Sequence, residues 1–350
     1  MKSDRLLFLL MLCLTFNACE KSQDEDRPQA GQGVYVLNNG NMGDNDADIG
    51  IYSPSSKTFV SDVFFSVNGQ KLGDLGQDIL TFNDEVYIAV NGSRTIFVTD
   101  LSLKIKEQIN VFKDGVSLSP RYLASAGDKV YVTYYEGYVG EIDSADHSVR
   151  ITQAGPNPEG LAVAGDCLYV ANSGGMSYPD YNNTVSVISI EDFIETKVIE
   201  VNVNPVKVVA SSDGESVYVS SYGNYSDVPA CLQVIETSAG LVRDLDYSSV
   251  SAMAMGNDDT LYILAGGYDD DWNPLPGIVY KHDMVRNTPS GTFVSDGTLL
   301  PDAYSISVSG DYVYVGCSDY RTTGDVYVFT SDGRLHDKFD SLGLNPLRVW

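Results

Sequence analysis

A short pattern of apolar positions around a central Tyr recurs seven times along the chain. The copy at 84–90 reads DEVYIAV, and the other copies keep the Tyr between two aliphatic residues. Runs rich in Tyr, Val and Ile favour β-strands. The seven central tyrosines are Tyr35, Tyr87, Tyr131, Tyr169, Tyr218, Tyr262 and Tyr314. Their spacing of 38 to 52 residues indicates a repeat architecture, and four-stranded propeller blades have this length.

Further strands surround each copy. A strand and a tight turn precede it, as in PRYLASAGD at 120–128 and PEGLAVAGD at 158–166. The Gly-Asp pairs supply the positive φ angles of a hairpin turn. A variable loop, a third strand and usually a fourth strand follow, as at 95–100 and 195–200. Each unit therefore predicts a four-stranded antiparallel blade, with strands A to D in chain order and the Tyr motif in strand B.

The two ends of the chain predict how the ring closes. The first strand pattern, at Val34, is already a strand B, and the segment 345–349 (NPLRV) resembles a lone strand A. We expect the C-terminal strand to complete the first blade, which hides edges that an open sheet would expose. The sequence thus predicts an all-β, seven-bladed propeller over residues 33–350, with a weakly patterned segment at 284–300.

The first 32 residues have a different pattern. Two basic residues and an apolar run at 6–14 predict a secretory signal peptide over residues 1–18. This run is too short to span a membrane. The pair Ala18-Cys19 resembles a bacterial lipobox, which predicts lipidation of Cys19; an ordinary signal peptide with a chance Cys is the alternative. Residues 19–32 then form an acidic tether.

The composition of the chain argues against several classes of function. The chain has 48 acidic and 22 basic residues, a net charge of −26, which argues against nucleic acid and anionic membrane surfaces as partners. The three His residues lack metal-ligand spacing, and no G-x-S-x-G motif is present. We therefore expect no enzyme activity, no catalytic residues, no cofactor and no metal site.

A calcium-dependent propeller hydrolase or lactonase is the alternative from another class, because the chain is so acidic. Asp44, Asp46 and Asp48 alternate as at the start of a calcium loop, but the Gly and the distant Glu of an EF-hand are missing. Predicted A strands, such as 161–165 and 208–212, would line the axis and are poor in carboxylates. This scarcity weighs against an axial calcium site.

The B–C loops differ from blade to blade and concentrate aromatic and polar residues on one predicted face. Tyr and Trp offer a large rigid contact area with a hydrogen-bonding tip, and variable loops on a rigid scaffold often carry function. Any single Tyr could instead simply pack its own loop. The predicted ligand-binding residues are Asn39, Asn41, Arg94, Tyr135, Tyr138, Tyr178, Tyr181, Tyr222, Tyr225, Tyr268, Trp272, Tyr320 and Arg321.

Five segments resemble a known family. They are VLNNGNMGDNDADIGIYSP at 36–54, NGQKLGDLGQDI at 68–79, VYIAVNGSRTIFV at 86–98, PRYLASAGDKVYVTYYEG at 120–137 and PEGLAVAGDCLYVANS at 158–173. They are similar to the YncE-like seven-bladed surface lipoproteins of gut Gram-negative bacteria. The resemblance implies a lipid-anchored protein of the outer membrane, facing the cell exterior. It further implies capture of cobalamin or another corrinoid and its delivery to a TonB-dependent outer-membrane transporter. A glycan- or protein-binding adhesin on the same face is a third possibility.

Overall fold

The computed structural model describes residues 33–175, 177–268 and 274–350. These residues form seven four-stranded antiparallel sheets arranged in a ring, one short hairpin and one short helix. The predicted all-β, seven-bladed propeller is confirmed. No helix in the described ranges is long and apolar enough to cross a membrane.

The first three blades are built in the predicted strand order, with additions between them. Blade 1 contains β1 (Val34–Asn38), β2 (Asp48–Ser53), β3 (Thr58–Val60) and the C-terminal β30 (Pro346–Val349). Helix α1 (Val63–Asn68) leads to blade 2, formed by β4 (Gly76–Phe82), β5 (Glu85–Val90), β6 (Thr95–Asp100) and β7 (Ile105–Ile109). A hairpin of β8 (Phe112–Lys113) and β9 (Val116–Ser117) leads to blade 3, formed by β10 (Pro120–Ala126), β11 (Lys129–Tyr134), β12 (Tyr138–Asp143) and β13 (Val149–Gln153).

The remaining four blades follow without such additions. Blade 4 contains β14 (Pro158–Ala164), β15 (Cys167–Asn172), β16 (Thr184–Ser189) and β17 (Glu195–Glu200). Blade 5 contains β18 (Pro205–Ala210), β19 (Ser216–Ser221), β20 (Cys231–Glu236) and β21 (Leu241–Ser248). Blade 6 contains β22 (Val250–Met255), β23 (Thr260–Tyr268), β24 (Pro274–Asp283) and β25 (Thr288–Thr292). Blade 7 contains β26 (Ala303–Ser309), β27 (Tyr312–Cys317), β28 (Asp325–Thr330) and β29 (Leu335–Asp340).

The centre of strand B in each blade is apolar because both of its faces are covered. In β5, Val86 and Ile88 pack toward blade 1, whereas Tyr87 and Ala89 pack toward blade 3. Successive side chains of a strand point to opposite faces, so one continuous apolar run serves two blade interfaces. This double burial explains the recurrent Tyr motif of the sequence.

The C-terminal strand closes the ring as predicted. Strand β30 pairs with β1 in antiparallel register, and Tyr35 and Trp350 exchange two backbone hydrogen bonds of 2.8 and 3.0 Å. The weakly patterned segment also finds its place, since β25 is strand D of blade 6 and Phe293 after it is buried between blades 6 and 7. The blade that receives β30 therefore has the same four strands as the others.

The B–C loops and the D–A connections lie on one face of the ring, called the loop face below. In most blades, the first residue after strand B donates a backbone hydrogen bond to the carbonyl of the residue just before strand A of the same blade. These pairs include Asn39 to Asn345, Tyr135 to Ser119, Ser173 to Asn157, Tyr222 to Asn204 and Ser318 to Asp302. The repeated bond confirms the predicted arrangement of the loops and fixes their bases around the axis.

Every strand A carries a register shift within its first residues, at the loop face. In five blades, one residue of strand A has no partner in strand B. These residues are Gln77, Val206, Ser251, Tyr304 and Leu347. In blades 3 and 4 the irregularity covers 121–122 and 159–160. A β-bulge bends the strand and redirects side chains. Here two successive residues of one strand contribute to the lining of the central cavity.

Candidate functional site

A cavity of about 890 Å³ occupies the centre of the ring. All seven A strands contribute to its lining, and residues of several B–C loops surround its opening on the loop face. Its size is within the range of small-molecule sites, and such sites usually combine apolar walls with a few polar groups. The cavity is therefore the candidate site.

Five of the predicted ligand-binding residues line this cavity: Asn39, Tyr135, Tyr181, Tyr222 and Tyr225. The rings of Tyr181 and Tyr225 meet edge to face with centroids 6.0 Å apart. Tyr222 donates its hydroxyl to the carbonyl of Ser251 at 2.9 Å, and burial raises the pKa of Tyr222 well above its ordinary value. These tyrosines come from three different B–C loops, and the structure brings them together at the cavity.

Two further predicted tyrosines extend the aromatic rim outward without lining the cavity. Tyr178 is exposed and lies edge to face with Tyr181, at a centroid distance of 6.4 Å. Tyr320 is also exposed and contacts Tyr304, at 5.4 Å. Tyr304 itself lines the cavity. The rim therefore has an inner and an outer row of rings on at least two sides.

The other predicted residues in the described ranges lie away from the cavity. Tyr138 packs against the blade 3 core. The guanidinium of Arg94 donates to the carbonyl of Ser117 at 3.4 Å, and Arg321 is exposed on the blade 7 loop. The side-chain oxygen of Asn41 accepts from Asn345 at 3.3 Å. Four of the predicted binding residues thus have local contacts or an outer position rather than a place in the cavity.

Three predictions fall outside the part of the molecule that the structure describes. Cys19 and Trp272 are not among the described residues. Only the backbone of Tyr268 is described, as the last residue of β23. The assignments of lipidation at Cys19 and of ligand contacts at Tyr268 and Trp272 stay predictions.

A buried ion-paired network at the cavity mouth escaped the sequence prediction. Arg121 donates to Glu159 from Nε at 2.8 Å and from Nη2 at 2.5 Å, and to the Gln77 side chain from Nη1 at 2.8 Å. These three residues are the second residues of three neighbouring A strands. Burial alone would lower the pKa of Arg121, but the charge and hydrogen bonds of Glu159, together with the neighbouring Tyr122 and Tyr135, raise it overall. The network holds a charged pair firmly in place at the mouth.

A second charged group comes from the third residues of the A strands. Lys207 donates to the Tyr122 hydroxyl at 2.5 Å, and its ammonium lies 4.3 Å from the centroid of the Tyr122 ring. Arg348 lies beside Asp78, with 3.5 Å between Nε and Oδ1. Asp78 also accepts the backbone N–H of Leu123 at 2.9 Å. Burial raises the pKa of Asp78, and Arg348 opposes this change only in part.

A sequence signal for these residues was available. Strands β10, β14, β18 and β30 all begin with Pro, and a charged residue follows within two positions: Arg121, Glu159, Lys207 and Arg348. A charge one or two positions after a strand-opening Pro marks a position where the bulge turns a side chain toward the axis. The expectation that strands A are poor in carboxylates was correct for 161–165 and 208–212 but missed Asp78 and Glu159.

The carboxylates do not gather into a metal site. In the described ranges, no group of three or more His, Cys, Asp or Glu side chains has an arrangement that could hold a metal ion. Asp78 and Glu159 each face an arginine instead. In the blade 1 loop, Asp46 accepts the backbone N–H of Asn41 at 2.9 Å, and Asp48 accepts the side-chain amide of Asn38 at 2.6 Å. Asp46 and Asp48 thus accept hydrogen bonds within blade 1.

Comparison with known proteins supports the fold alone. No protein-family model and no curated protein matches the chain. Among solved structures, the hydrazine synthase of Kuenenia stuttgartiensis is similar with a TM-score of 0.57 and 16% identity, covering 71% of this chain and 74% of that one. The computationally designed Ika8 protein is similar with a TM-score of 0.58 and 14% identity, covering 91% of each chain. At these identities, both resemblances speak for the propeller architecture only.

Proposed function

We propose that this protein is a non-catalytic binding protein whose ligand sits at the loop-face mouth of the central cavity. The observation that carries the proposal is the convergence of tyrosines from several loops and two A strands on a single open cavity. Rigid aromatic rings with hydroxyl tips suit a bulky ligand that has both apolar edges and polar substituents. Among the described residues, the cavity lining contains neither His nor Cys, the usual bases and nucleophiles of hydrolases.

The best candidate for the ligand is cobalamin or another corrinoid. This choice rests on the resemblance to surface lipoproteins and on the chemistry of the rim. A corrin ring offers peripheral amides to tyrosine hydroxyls and asparagines, and apolar edges to aromatic faces. In this proposal Cys19 anchors the protein to the outer membrane, facing the exterior, and the bound corrinoid passes to a TonB-dependent transporter.

A calcium-dependent hydrolase is less well supported. The axial carboxylates Asp78 and Glu159 lie next to Arg348 and Arg121, so their charge is already compensated. A divalent cation would have to displace these arginines, and hard cations prefer several free oxygen ligands. Activity on a lactone or ester that chelation abolishes would revive the hydrolase.

Isothermal titration of the purified protein with cyanocobalamin tests the ligand. We expect one-to-one binding, and substitution of Tyr181 or Tyr225 by Ala should weaken it by about tenfold or more, as for aromatic residues at the centre of a binding site. Phe65→Ala is the matched control, since Phe65 is an exposed aromatic residue on α1 outside the cavity lining. Failure of every corrinoid to bind would refute this ligand, and a hit on a glycan array would then favour the adhesin.

The anchor is tested separately. Cys19→Ala should move the protein from the membrane fraction to the soluble fraction, whereas ligand binding by the purified protein should not change. Membrane retention of the variant would contradict lipidation at Cys19.

A further inference from the structure

The charge of the central cavity is opposite to that of the molecule. The whole chain has more than twice as many acidic as basic residues. The cavity lining, in contrast, contains three cationic side chains, Arg121, Lys207 and Arg348, and only two carboxylates, Asp78 and Glu159. A recess of one sign with low-dielectric walls focuses the electrostatic potential at its centre. The cavity therefore favours a negative group where the outer surface repels one.

The excess positive charge can be assigned to particular atoms. Arg121 forms an ion pair with Glu159 and donates a hydrogen bond to Gln77. Lys207 has a different environment, because its hydrogen-bond partner is the neutral hydroxyl of Tyr122, and among the described residues no carboxylate lies within ion-pair distance of it. Its ammonium is half-buried in the cavity wall.

Arg348 adds unused hydrogen-bonding capacity to the same level of the cavity. Its Nε is buried, lies 3.5 Å from Asp78 and makes no hydrogen bond. An unsatisfied buried donor on a charged group is costly, and so is a half-buried ammonium that interacts with a carboxylate, Asp78, only from beyond ion-pair distance. Both costs disappear if an oxyanion enters the cavity and accepts hydrogen bonds from the two groups.

We propose that the central cavity contains a subsite for the phosphate or carboxylate group of its ligand, formed by Lys207, Arg348 and the hydroxyl of Tyr122. This inference deepens the proposed function and rests on the cavity being a ligand site. The three groups are the third residues of their A strands, one position further from the loop face than the network of Arg121. A ligand would insert its anionic group into the cavity and leave its bulky part among the tyrosines of the mouth.

Inorganic phosphate and acetate are the probes that test the subsite without any larger ligand. Line broadening of the phosphorus-31 signal of phosphate, and of the carbon-13 signal of labelled acetate, is measured with the full protein at constant ionic strength. We expect saturable broadening by at least one of the two anions, and the comparison identifies which chemistry the site prefers. Absence of saturable broadening by both anions would overturn the proposal.

Lys207→Met removes the ammonium and keeps most of the side-chain stem, so it should weaken anion binding by about tenfold or more. Lys71→Met is the control, because it makes the same charge change at an exposed residue outside the cavity lining. Equal broadening in the two variants would contradict the assignment to Lys207. Lys207→Arg keeps the charge and should retain binding within a few-fold; it serves if the Met variant does not fold.

The two proposals fail in different ways. Anion binding that depends on Lys207, without any corrinoid binding, would support the subsite and refute the named ligand. Cyanocobalamin binding that Lys207→Met leaves unchanged, together with no anion binding, would support the ligand and refute the subsite.

Discussion

Asp48, at the start of β2, is ionised at neutral pH at a cost to folding. Its Oδ1 accepts a hydrogen bond from the side-chain amide of Asn38 at 2.6 Å. Burial raises the pKa of Asp48 from its ordinary 3.8 to about 6, although the hydrogen bond from Asn38 acts in the opposite direction. The folded protein therefore binds this proton more tightly than the unfolded chain does.

The size and sign of the contribution of Asp48 to the free energy of unfolding follow from the difference between its pKa in the folded and the unfolded state. A shift of about two pKa units corresponds to about 3 kcal/mol, and water around the half-buried side chain reduces this to about 1–3 kcal/mol. Between pH 4 and pH 6 the folded state holds more protons than the unfolded state, so the free energy of unfolding falls as the pH rises. Asp48 lowers the free energy of unfolding least below about pH 4 and most above about pH 6.

Asp48→Asn removes the titration and keeps an oxygen that accepts from Asn38. We expect the variant to be more stable than the wild type by about 1–3 kcal/mol at pH 7, and nearly equal to it at pH 4. Urea denaturation of both proteins, followed by tryptophan fluorescence at pH values from 4 to 8, gives the difference curve. Taking the difference cancels the titration of all other groups.

Asp44→Asn is the control for Asp48→Asn, because Asp44 is an exposed carboxylate in the same loop. It should change the unfolding free energy by less than about 0.5 kcal/mol at either pH. A difference curve for Asp48→Asn that stays flat between pH 4 and pH 7 would refute the reasoning. A variant less stable than the wild type at pH 7 would do the same, because it would mean that the ionised carboxylate is stabilised by its surroundings.

Three further predictions concern contacts between blades and the closure of the ring. Burial lowers the pKa of His147, but its hydrogen bonds to carboxylates, including one of 2.9 Å to Glu85, raise it overall. His147→Gln should therefore destabilise the protein more at pH 6 than at pH 9, as measured by thermal denaturation. Deletion of 346–350 should leave strand β1 with an open edge and produce aggregation and a broadened unfolding transition, measured by light scattering and calorimetry. Arg121→Met should cost about 3 kcal/mol because it leaves Glu159 buried without its partner, and adding Glu159→Met should recover part of that loss in urea denaturation.

The fold could be predicted because its physical cause repeats along the chain. Each strand B is covered on both faces, so seven similar apolar runs appear at a similar spacing. The ring closure could be predicted because the first and last patterns, at Val34 and 345–349, are complementary halves of one blade. The strand over 288–292 was not recognised, because all five of its residues are exposed and no apolar alternation marks it.

The site could be predicted only in part. Loop tyrosines such as Tyr181 and Tyr225 stand out because they occur in variable loops whose bases the topology brings together. Apart from Asp78, the cavity charges are marked only by their positions after strand-opening prolines, and the sequence does not show which of them meet, because each comes from a different blade and is far in sequence from its neighbours. Lys207 and Tyr122, for example, are 85 positions apart and meet only across the ring. No local spacing rule can detect such a pair.

The bulges and the ring closure determine which charged side chains reach the central cavity. A regular strand would direct only every second side chain toward the axis, whereas the shifted starts of the A strands bring two successive residues, such as Arg121 and Tyr122, into the cavity lining. Arg348 lies on β30, the strand that closes the ring. Loss of closure therefore removes one of the three cationic side chains of the cavity, so stability and anion binding should fall together when this strand is altered.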